Sequence, residues 1–321
     1  MKLGVFIAAF AQMEFEPLLD YVASVGVTAI EIPVGGYVGD AHLKPAQMLH
    51  DDPACADLKA KIAARGLSIS ALSAHANPLH PNPVIGEPHR EAVKNGILMA
   101  EKLGVETFIT FSGCPGGAPG DMTPNWVTCP WPPDFSDTVK YQWEQVMIPY
   151  WREINAFAEA RGVRIAIEMH PGFCVYSAEH ILALRDALGS KNIGANFDPS
   201  HLFWQGVDPV FAIRKLGAAI FHFHAKDTVI DPINSTVNGV LDTKSYSDLA
   251  NRSWVFRTVG YGHGESTWRD MVSNLRLVGY DGTLSIEHED GLMSQQEGFE
   301  KAAQFLNPIL IKQAAGYAFW A

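Results

Sequence analysis

Residues 163–198, with the sequence VRIAIEMHPGFCVYSAEHILALRDALGSKNIGANFD, decide the fold of this chain. Two short apolar runs, Val163–Glu168 and Ile193–Phe197, flank an amphipathic stretch at Ala178–Leu188. A short apolar run, a longer stretch of helical period and a second short run are typical of a strand–helix–strand unit in a parallel sheet. We therefore predict two parallel strands whose carboxyl ends share one edge of the sheet.

The same pattern recurs along the whole chain. The predicted strands are Leu3–Ile7, Ala29–Ile32, Ile69–Ser73, Thr107–Phe111, Val163–Glu168, Ile193–Phe197, Ala219–His224 and Thr283–Glu287. The predicted helices are Phe15–Val25, Ala54–Arg65, His89–Leu103, Trp143–Ala160, Ala178–Leu188, Pro209–Leu216, Thr267–Val278 and Gln295–Leu306. Eight such units, with no GxGxxG motif after the first strand, favour a closed (β/α)₈ barrel over an open sheet.

Length and composition agree with one globular domain that covers residues 1–321. The chain is 47% hydrophobic and 18% charged, which is enough apolar material for a sizeable core. Two segments, Ser112–Lys140 and Ala225–Gly262, are too long for plain connections. We predict that both are loop insertions at the carboxyl-terminal face of the barrel that act as lids; the alternative is that they are ordinary surface loops.

The charge of the chain excludes several classes of partner. Its 24 basic and 35 acidic residues give a net charge of −11, which opposes nucleic acid and anionic membranes as main partners. The four cysteines show no CxxC spacing, and the apolar run at the start of the chain is too short for a membrane span. We expect a cytoplasmic protein that binds a small molecule.

Polar residues interrupt the apolar runs at the ends of the last four predicted strands. These ends read IEMHP at 167–171, NFDPSH at 196–201, HFHAKD at 222–227 and SIEHED at 285–290. In a (β/α)₈ barrel the catalytic groups lie at these carboxyl ends, so the four segments meet at one mouth. Buried carboxylates and imidazoles are costly unless they are paired or coordinate a cation, so the convergence predicts a divalent metal ion.

Three carboxylates and one imidazole form the predicted set of metal ligands. They are Glu168, Asp198, His224 and Glu287. An oxygen-rich set with a single nitrogen favours Mn²⁺ or Mg²⁺, with Co²⁺ as a further candidate. Any one of these acidic residues alone is more often an ion-pair partner or a helix cap, but four at successive strand ends favour the metal.

The four motifs, in this order and spacing, resemble the xylose-isomerase-like TIM-barrel superfamily of sugar isomerases and epimerases, which includes ketose 3-epimerases and inosose dehydratases. The resemblance covers nearly the whole chain. It implies a metal tetrad at the same four residues and places His201 near substrate oxygens. The sequence departs from the ketose epimerases after Glu168, where Met169-His170-Pro171 offers no second acid–base carboxylate.

Two further residues are candidates for catalysis. His170 is two positions after Glu168, and alternation along a strand would place an imidazole beside the metal, where it can act as a base. Lys226 continues the phase of His222 and His224 and is either a substrate-orienting cation or an ion-pair partner. His222 is expected to be a core residue one layer lower.

Other polar and aromatic residues are candidates for substrate binding. They are Glu31, His75, Trp126, Trp204 and Arg257. Glu31 and His75 would offer hydrogen bonds to sugar hydroxyls, the tryptophans would stack on the sugar, and Arg257 would hold an anion. For each of them the alternative is a structural hydrogen bond or ordinary packing. Glu289 is in phase with Glu287 but past the strand, so a surface role is expected.

These observations lead to three functional hypotheses. The first is a metal-dependent isomerase or epimerase that removes a proton next to the carbonyl of a keto-sugar through a metal-stabilised enediolate, with His170 or a metal-bound carboxylate as the base. The second is a lyase acting by β-elimination, because Phe256–Gly262 and Ser285–Asp290 look like members that cleave 3-keto-glycosides, including C-glycosides. The third is a non-catalytic sugar-binding subunit.

The resemblance also bears on partners. A homo-oligomer is expected, or a hetero-oligomer with a small subunit if the chain is a C-glycoside deglycosidase. The superfamily is similar to endonuclease IV-type repair enzymes as well, but those need a basic face, which the net charge of −11 opposes.

Overall fold

The computed structural model describes residues 1–314, 316–318 and 320. Within them, eight parallel strands close a barrel in the order β1-β10-β7-β6-β5-β4-β3-β2, which confirms the predicted (β/α)₈ barrel. The barrel strands are β1 Lys2–Phe6, β2 Ala29–Gly36, β3 Ser68–His75, β4 Thr107–Phe111, β5 Arg164–Glu168, β6 Ile193–Phe197, β7 Ile220–Ala225 and β10 Thr283–Ile286. Two more strands, β8 Asp227–Ile230 and β9 Trp254–Arg257, pair antiparallel outside the barrel.

Helices surround the barrel and follow most of its strands. They are α1 Phe15–Val25, α2 Pro45–Met48, α3 Asp52–Ala63, α4 Pro83–Leu103, α5 Pro133–Tyr141, α6 Ile148–Glu159, α7 Ala178–Leu188, α8 Ser200–Phe203, α9 Pro209–Leu216, α10 Pro232–Asn238, α11 Glu265–Leu277 and α12 Gln295–Leu306. A π-helical segment, Gln142–Met147, joins α5 to α6. No helix among the described residues is both long enough and apolar enough to cross a membrane.

The main core lies between the strands and the helices. Gly96 of α4 packs directly on Phe108 of β4, where a Cβ atom would be 2.3 Å from the ring. Inside the barrel, the small apolar side chains of Ala71, Ile109 and Ala166 form a separate cluster. His222 is buried in the barrel, and its Nδ1 contacts Asn196 Oδ1 at 3.1 Å, which is the core position expected for it. The interior of the barrel is therefore filled by side chains, and the ligands lie above this filling at the carboxyl-terminal end.

The two long segments are more ordered than the loops that we predicted. The first contains α5, and the second contains the β8–β9 hairpin with α10 between its strands. The hairpin strands have four residues each and 23 residues between them, too short and too far apart to show as a repeating pattern. We call residues 226–262 the β7–α11 insertion. Its hairpin gives that insertion a fixed shape.

Candidate metal centre

The four predicted ligands meet at the carboxyl-terminal end of the barrel. Glu168 ends β5, Asp198 follows β6, His224 lies in β7 and Glu287 follows β10. These four strands are consecutive neighbours in the barrel. One ligand atom from each residue lies within 4.8 Å of the ligand atoms of the other three, so the parallel strands bring together side chains that are far apart in the chain.

The donor set fits a divalent cation. His224 Nδ1, Asp198 Oδ2 and Glu287 Oε2 are buried, and none of them forms a hydrogen bond, although the two carboxylate oxygens form ion pairs with Lys226. His224 Nδ1 lies 3.0 Å from Glu287 Oε2 and 3.2 Å from Glu168 Oε2. Buried polar atoms without hydrogen bonds are costly, and one bound cation would contact all three. Glu168, Asp198, His224 and Glu287 are therefore the residues that would hold it.

The two glutamates of the centre are held in their ionised forms. Burial raises the pKa of Glu168, but the imidazoles of His201 and His224 outweigh it and hold that pKa well below its usual range. Burial also raises the pKa of Glu287, but the positive charges of Lys226 and His224 outweigh this effect and hold that pKa well below its ordinary value. Ionised carboxylates are the form that binds a hard cation, so the electrostatics agree with the donor set.

Lys226 forms ion pairs inside the centre. Its Nζ lies 2.9 Å from Glu287 Oε2 and 3.1 Å from Asp198 Oδ2, and it donates a hydrogen bond to Glu289 Oε2 at 3.0 Å. Burial lowers the pKa of Lys226, but Asp198 and Glu287 outweigh this and raise it well above the usual value. The ammonium group therefore stays charged and links the ligand set to Glu289, a residue for which the sequence predicted a surface role.

Two imidazoles stand beside the ligands. His201 Nε2 lies 3.2 Å from Asp198 Oδ2 and 3.5 Å from Glu168 Oε1. The ring of His170 lies 4.0 Å from that of His201, centroid to centroid. His170 lies past the end of β5, in a turn where its backbone N–H donates a hydrogen bond to the Val175 carbonyl. The alternation of side chains along a strand therefore does not determine its position. The turn nevertheless brings its ring to the centre.

One ring nitrogen of His170 is committed to the backbone. Nδ1 lies 2.6 Å from the Pro171 carbonyl oxygen, and because a carbonyl only accepts, Nδ1 carries the hydrogen. The lone pair of the neutral ring is then on Nε2. Burial, with His201 as the next cause, holds the pKa of His170 well below its usual range, so the ring is neutral near physiological pH.

Glu31 and His75 contact metal ligands, while the contacts with sugar hydroxyls that the sequence suggests for them stay a prediction. His224 Nε2 donates to Glu31 Oε2 at 2.7 Å, and His75 Nε2 donates to Glu168 Oε2 at 3.1 Å. Both residues are buried, and neither lines the cavity at the centre. Each orients a ligand, the usual task of a residue that hydrogen-bonds to a metal ligand.

Three other substrate-binding candidates have structural partners. Trp204 is buried and stacks on Trp254, with ring centroids 4.6 Å apart. Trp126 packs edge-on against Tyr176, and Arg257 Nε donates to Asp290 Oδ2 at 3.1 Å. None of the three candidates lines the cavity at the centre. Aromatic and cationic residues often have such packing roles, and the sequence could not separate these from ligand contacts.

A cavity of about 470 Å³ opens beside the centre. Residues after β5 and β10 line it together with the β7–α11 insertion; they are His170, Tyr246, Ser247, Leu249, Arg252, Val255, Phe256, Glu289 and Gly291. Of these, only His170 was predicted as a site residue. The sequence offered two signals: the in-phase spacing of Glu289 from Glu287, and the length of Ala225–Gly262, which predicted a lid but did not single out the cavity residues within it.

Comparisons with known proteins agree with this architecture. The chain is 38% identical over 313 residues to the uncharacterized protein YfiH of Bacillus subtilis (strain 168), covering 97% of this chain and 99% of that protein. It is 25% identical over 148 residues to an inosose dehydratase of Geobacillus thermodenitrificans, covering 46% of this chain and 47% of that enzyme. The curated relatives with an assigned activity therefore include a sugar-modifying enzyme.

Solved structures share the fold. A protein called IolI, with a bound zinc atom, superposes with a TM-score of 0.65 at 18% identity, covering 98% of this chain and 100% of that chain. The D-psicose 3-epimerase of Clostridium cellulolyticum H10 gives 0.61 at 15% identity, covering 96% and 98%. The profile of the xylose isomerase-like TIM barrel family matches residues 19–309. The chain belongs to the xylose isomerase-like TIM barrel family.

Proposed function

We propose that the chain is a divalent-metal-dependent enzyme that removes a proton next to the carbonyl of a keto-sugar and returns a proton to give an isomer or epimer. The observation that carries this is the convergence of buried ligand atoms from Glu168, Asp198, His224 and Glu287 beside a cavity that holds an imidazole. Mn²⁺ is the proposed ion; when bound, it would polarise the carbonyl and stabilise the negative charge that develops on its oxygen.

His170 is proposed as the base. It lines the cavity, and its Nε2 lone pair is free to accept a proton because Nδ1 bonds to the Pro171 carbonyl. Glu289 lines the same cavity from the loop after β10, and β6 and β7 separate β10 from β5 in the barrel. The two groups therefore approach a ligand from different sides, as proton transfer on two faces of a carbon requires.

Glu289 is proposed as the second proton-transferring group, and Lys226 is proposed to position it. Lys226 Nζ donates to Glu289 Oε2 and keeps its charge, while the exposed carboxyl group of Glu289 can take from solvent the proton that it returns to the substrate. This arrangement replaces the carboxylate that ketose epimerases carry after the strand-five ligand. It uses a carboxylate from the other side of the cavity.

The test is exchange of substrate hydrogen with solvent deuterium. Metal-loaded protein, incubated with a panel of keto-sugars in D₂O, should incorporate deuterium next to the carbonyl, and product should form in parallel. His170→Asn should keep its metal and lose about 10² to 10⁴ in turnover, the usual contribution of a positioned base. The exposed His50 provides the matched control, since His50→Asn should leave turnover unchanged.

Two results would contradict the proposal. Wild-type turnover by His170→Asn with every active substrate would remove this residue as the base. Absence of exchange with all keto-sugars, from protein that holds about one ion per chain, would remove the reaction class.

Elimination is a second candidate, favoured by the charged Lys226 beside the centre and by the inosose dehydratase relative. In this reaction His170 takes the proton next to the carbonyl, and the bond from the adjacent carbon to its oxygen substituent breaks. The departing oxygen takes a proton from His201, with the Lys226 ammonium group stabilising its negative charge, and the products are an unsaturated ketone and water or an alcohol. Ultraviolet absorbance of the enone, absent from an isomerase, separates the two reactions.

A further inference from the structure

Two of the four cysteines lie next to each other at the carboxyl-terminal end of the barrel. Cys114 follows β4 and Cys174 follows β5, and these strands are neighbours in the sheet. Both residues are buried, with exposed fractions of 1% and 6%, and both thiols are free. The Cys174 N–H donates a hydrogen bond to the Gly113 carbonyl at 3.0 Å, so the backbone segments that carry the two thiols are in contact.

The two thiols also contact each other, and the contact makes them unequal. The Cys174 thiol donates a hydrogen bond to the Cys114 sulfur, which lowers the pKa of Cys114 below its ordinary value and outweighs the opposite effect of burial. The same contact, together with burial, raises the pKa of Cys174 well above its ordinary value. The thiolate is the form of cysteine that attacks an oxidant, so Cys114 is the nucleophile of the pair.

Cys174 belongs to the turn that carries the proposed base. We call residues 170–175 the His170 turn. The end of β4 packs on this turn, because the Phe111 ring stacks on Phe173 with centroids 4.4 Å apart and lies edge-on to the His170 ring at 4.8 Å. A covalent bond from Cys174 to the segment after β4 would therefore hold the turn, with its imidazole, against that strand.

We propose that Cys114 and Cys174 are a peroxide-reactive pair that forms a reversible disulfide and thereby fixes the His170 turn. The Cys114 thiolate attacks one oxygen of hydrogen peroxide and the O–O bond breaks, which gives a sulfenic acid at Cys114 and, with a proton from solvent, water. The Cys174 sulfur then attacks the sulfenic sulfur, an S–S bond forms, and the hydroxyl group leaves with the thiol proton of Cys174 as a second water. The two thiols are oxidised and the peroxide is reduced.

The burial of the pair selects the oxidant. Hydrogen peroxide is small enough to reach the 6% of Cys174 that is exposed and the sulfur beside it, whereas glutathione disulfide is too bulky to do so. Cys129 is exposed and open to both oxidants. We therefore expect glutathione disulfide to react at Cys129, and peroxide to link Cys114 to Cys174.

Peptide mapping of protein treated with hydrogen peroxide tests the pair. The background is Cys129→Ser, which removes the exposed thiol. Brief treatment should give linked peptides that contain Cys114 and Cys174 and lack two hydrogen atoms, while Cys55 stays a free thiol, and dithiothreitol should reverse the link. Cys174→Ser in this background should form no disulfide and should leave at Cys114 a sulfenic acid that dimedone traps.

The matched control is Cys55→Ser in the same background. Cys55 is also buried, but its thiol donates to the Met48 carbonyl at 3.4 Å rather than to another cysteine. This variant should form the disulfide as readily as the background protein.

Hydrogen exchange measures the effect on the His170 turn. Its backbone N–H groups should exchange about tenfold more slowly after oxidation, because a cross-link opposes local opening. Exchange in β10, which is three strands away from β5 in the barrel, should not change.

Two results would overturn the proposal. If peroxide leaves Cys114 and Cys174 unlinked until Cys55 reacts, the pair is not peroxide-reactive, and mapping of the background protein decides this even if Cys174→Ser fails to fold. If the disulfide forms and exchange in the His170 turn does not slow, the disulfide does not fix the turn. Neither measurement involves a sugar, so both outcomes are independent of the proposed function.

Discussion

The barrel and the β7–α11 insertion both contribute to the cavity, but they hold their residues in different ways. The ligand-bearing ends of β5, β6, β7 and β10 are neighbours in one closed sheet, so backbone pairing fixes the spacing of Glu168, Asp198, His224 and Glu287. The insertion is outside that sheet. Its own hairpin shapes it, and a few side-chain contacts attach it to the barrel.

Two buried aspartates make those attachments. Asp227 accepts hydrogen bonds from the backbone N–H groups of Thr228, Gly260, Gly262 and His263 and from the Trp268 indole. Asp290, after β10, accepts from the Thr258 N–H and from Arg257. The barrel therefore fixes the positions of the ligands, while the insertion beyond Lys226 shapes the cavity beside them.

The largest expected effect is on the barrel side, from Glu168→Gln. Glu168 supplies one of three carboxylates to the centre, and it also accepts hydrogen bonds from His75 and from Asn196 at 3.0 Å. Removing its charge should reduce the metal content from about one ion per chain to near zero and lower turnover by at least about 10³. Elemental analysis after gel filtration measures the first effect, and a turnover assay measures the second.

The control for this prediction is Glu144→Gln, because Glu144 is exposed on the π-helical segment. It should keep full metal content and full activity. Metal-loaded Glu168→Gln with wild-type turnover would show that the barrel ligands do not determine the chemistry.

Next in size is the loss of an attachment, through Asp227→Ala. The substitution leaves several buried N–H groups without an acceptor, and we expect the free energy of unfolding to fall by about 3 kcal/mol. Gly262 packs so closely on this aspartate that a Cβ there would lie 2.5 Å from Oδ1, so this position offers no side chain of its own to replace the carboxylate. Urea unfolding measures the loss, with the exposed Asp137→Ala as control.

Hydrogen exchange shows where Asp227→Ala acts. Protection should fall in the insertion and remain in β5 and β6, because the barrel strands keep their own pairing. Equal loss of protection in the barrel and in the insertion would show that the two regions are one cooperative unit.

The same difference explains what the sequence could predict. The barrel strands repeat an apolar pattern, so β4 and β6 were predicted at their observed bounds, and the ligands follow from polar residues at strand ends. The hairpin has no such repeat, and its partner strands are separated by 23 residues. Residues such as Tyr246 became cavity residues only through that long-range pairing, which no local pattern records.

The contacts of Glu31 and His75 with metal ligands could not be predicted for a related reason. β2 and β3 run to Gly36 and His75, farther than their apolar runs, and the register between them shifts twice. The depth of a side chain within the barrel depends on that register and on its neighbours, so the sequence could place both residues on the inner face but could not show that they lie against the ligands.

A smaller effect is expected from Glu31→Gln, which tests whether Glu31 orients the metal ligand His224. Gln retains an oxygen that can accept from His224 Nε2, but it loses the charge that holds the imidazole in place. Mn²⁺ affinity should fall by about 10- to 100-fold, the usual result of changing a partner of a metal ligand. Calorimetry gives the affinity, and the absorption bands of the Co²⁺-loaded protein should shift.

At saturating metal, Glu31→Gln should keep the wild-type KM, because Glu31 does not line the cavity. The exposed Glu106→Gln is the control for affinity. A raised KM with unchanged Mn²⁺ affinity would instead return Glu31 to the substrate-binding role that the sequence suggested.

The smallest effect is expected from Arg257→Gln in the second attachment. Arg257 lies at the end of β9, and its Nε donates to Asp290 Oδ2 at 3.1 Å while its side chain is 18% exposed. Asp290 keeps its hydrogen bonds from the Thr258 and Leu292 N–H groups, both at 2.8 Å, when the guanidinium is removed. A partly exposed ion pair whose acceptor stays satisfied contributes about 1 kcal/mol or less, so urea unfolding should show a loss of that size.

The KM of Arg257→Gln should stay within about twofold of the wild type, because the arginine does not line the cavity. Removal of a cation that binds substrate would instead raise KM by about tenfold or more. A large rise in KM with unchanged stability would show that the insertion presents Arg257 to the substrate rather than using it to attach to the barrel.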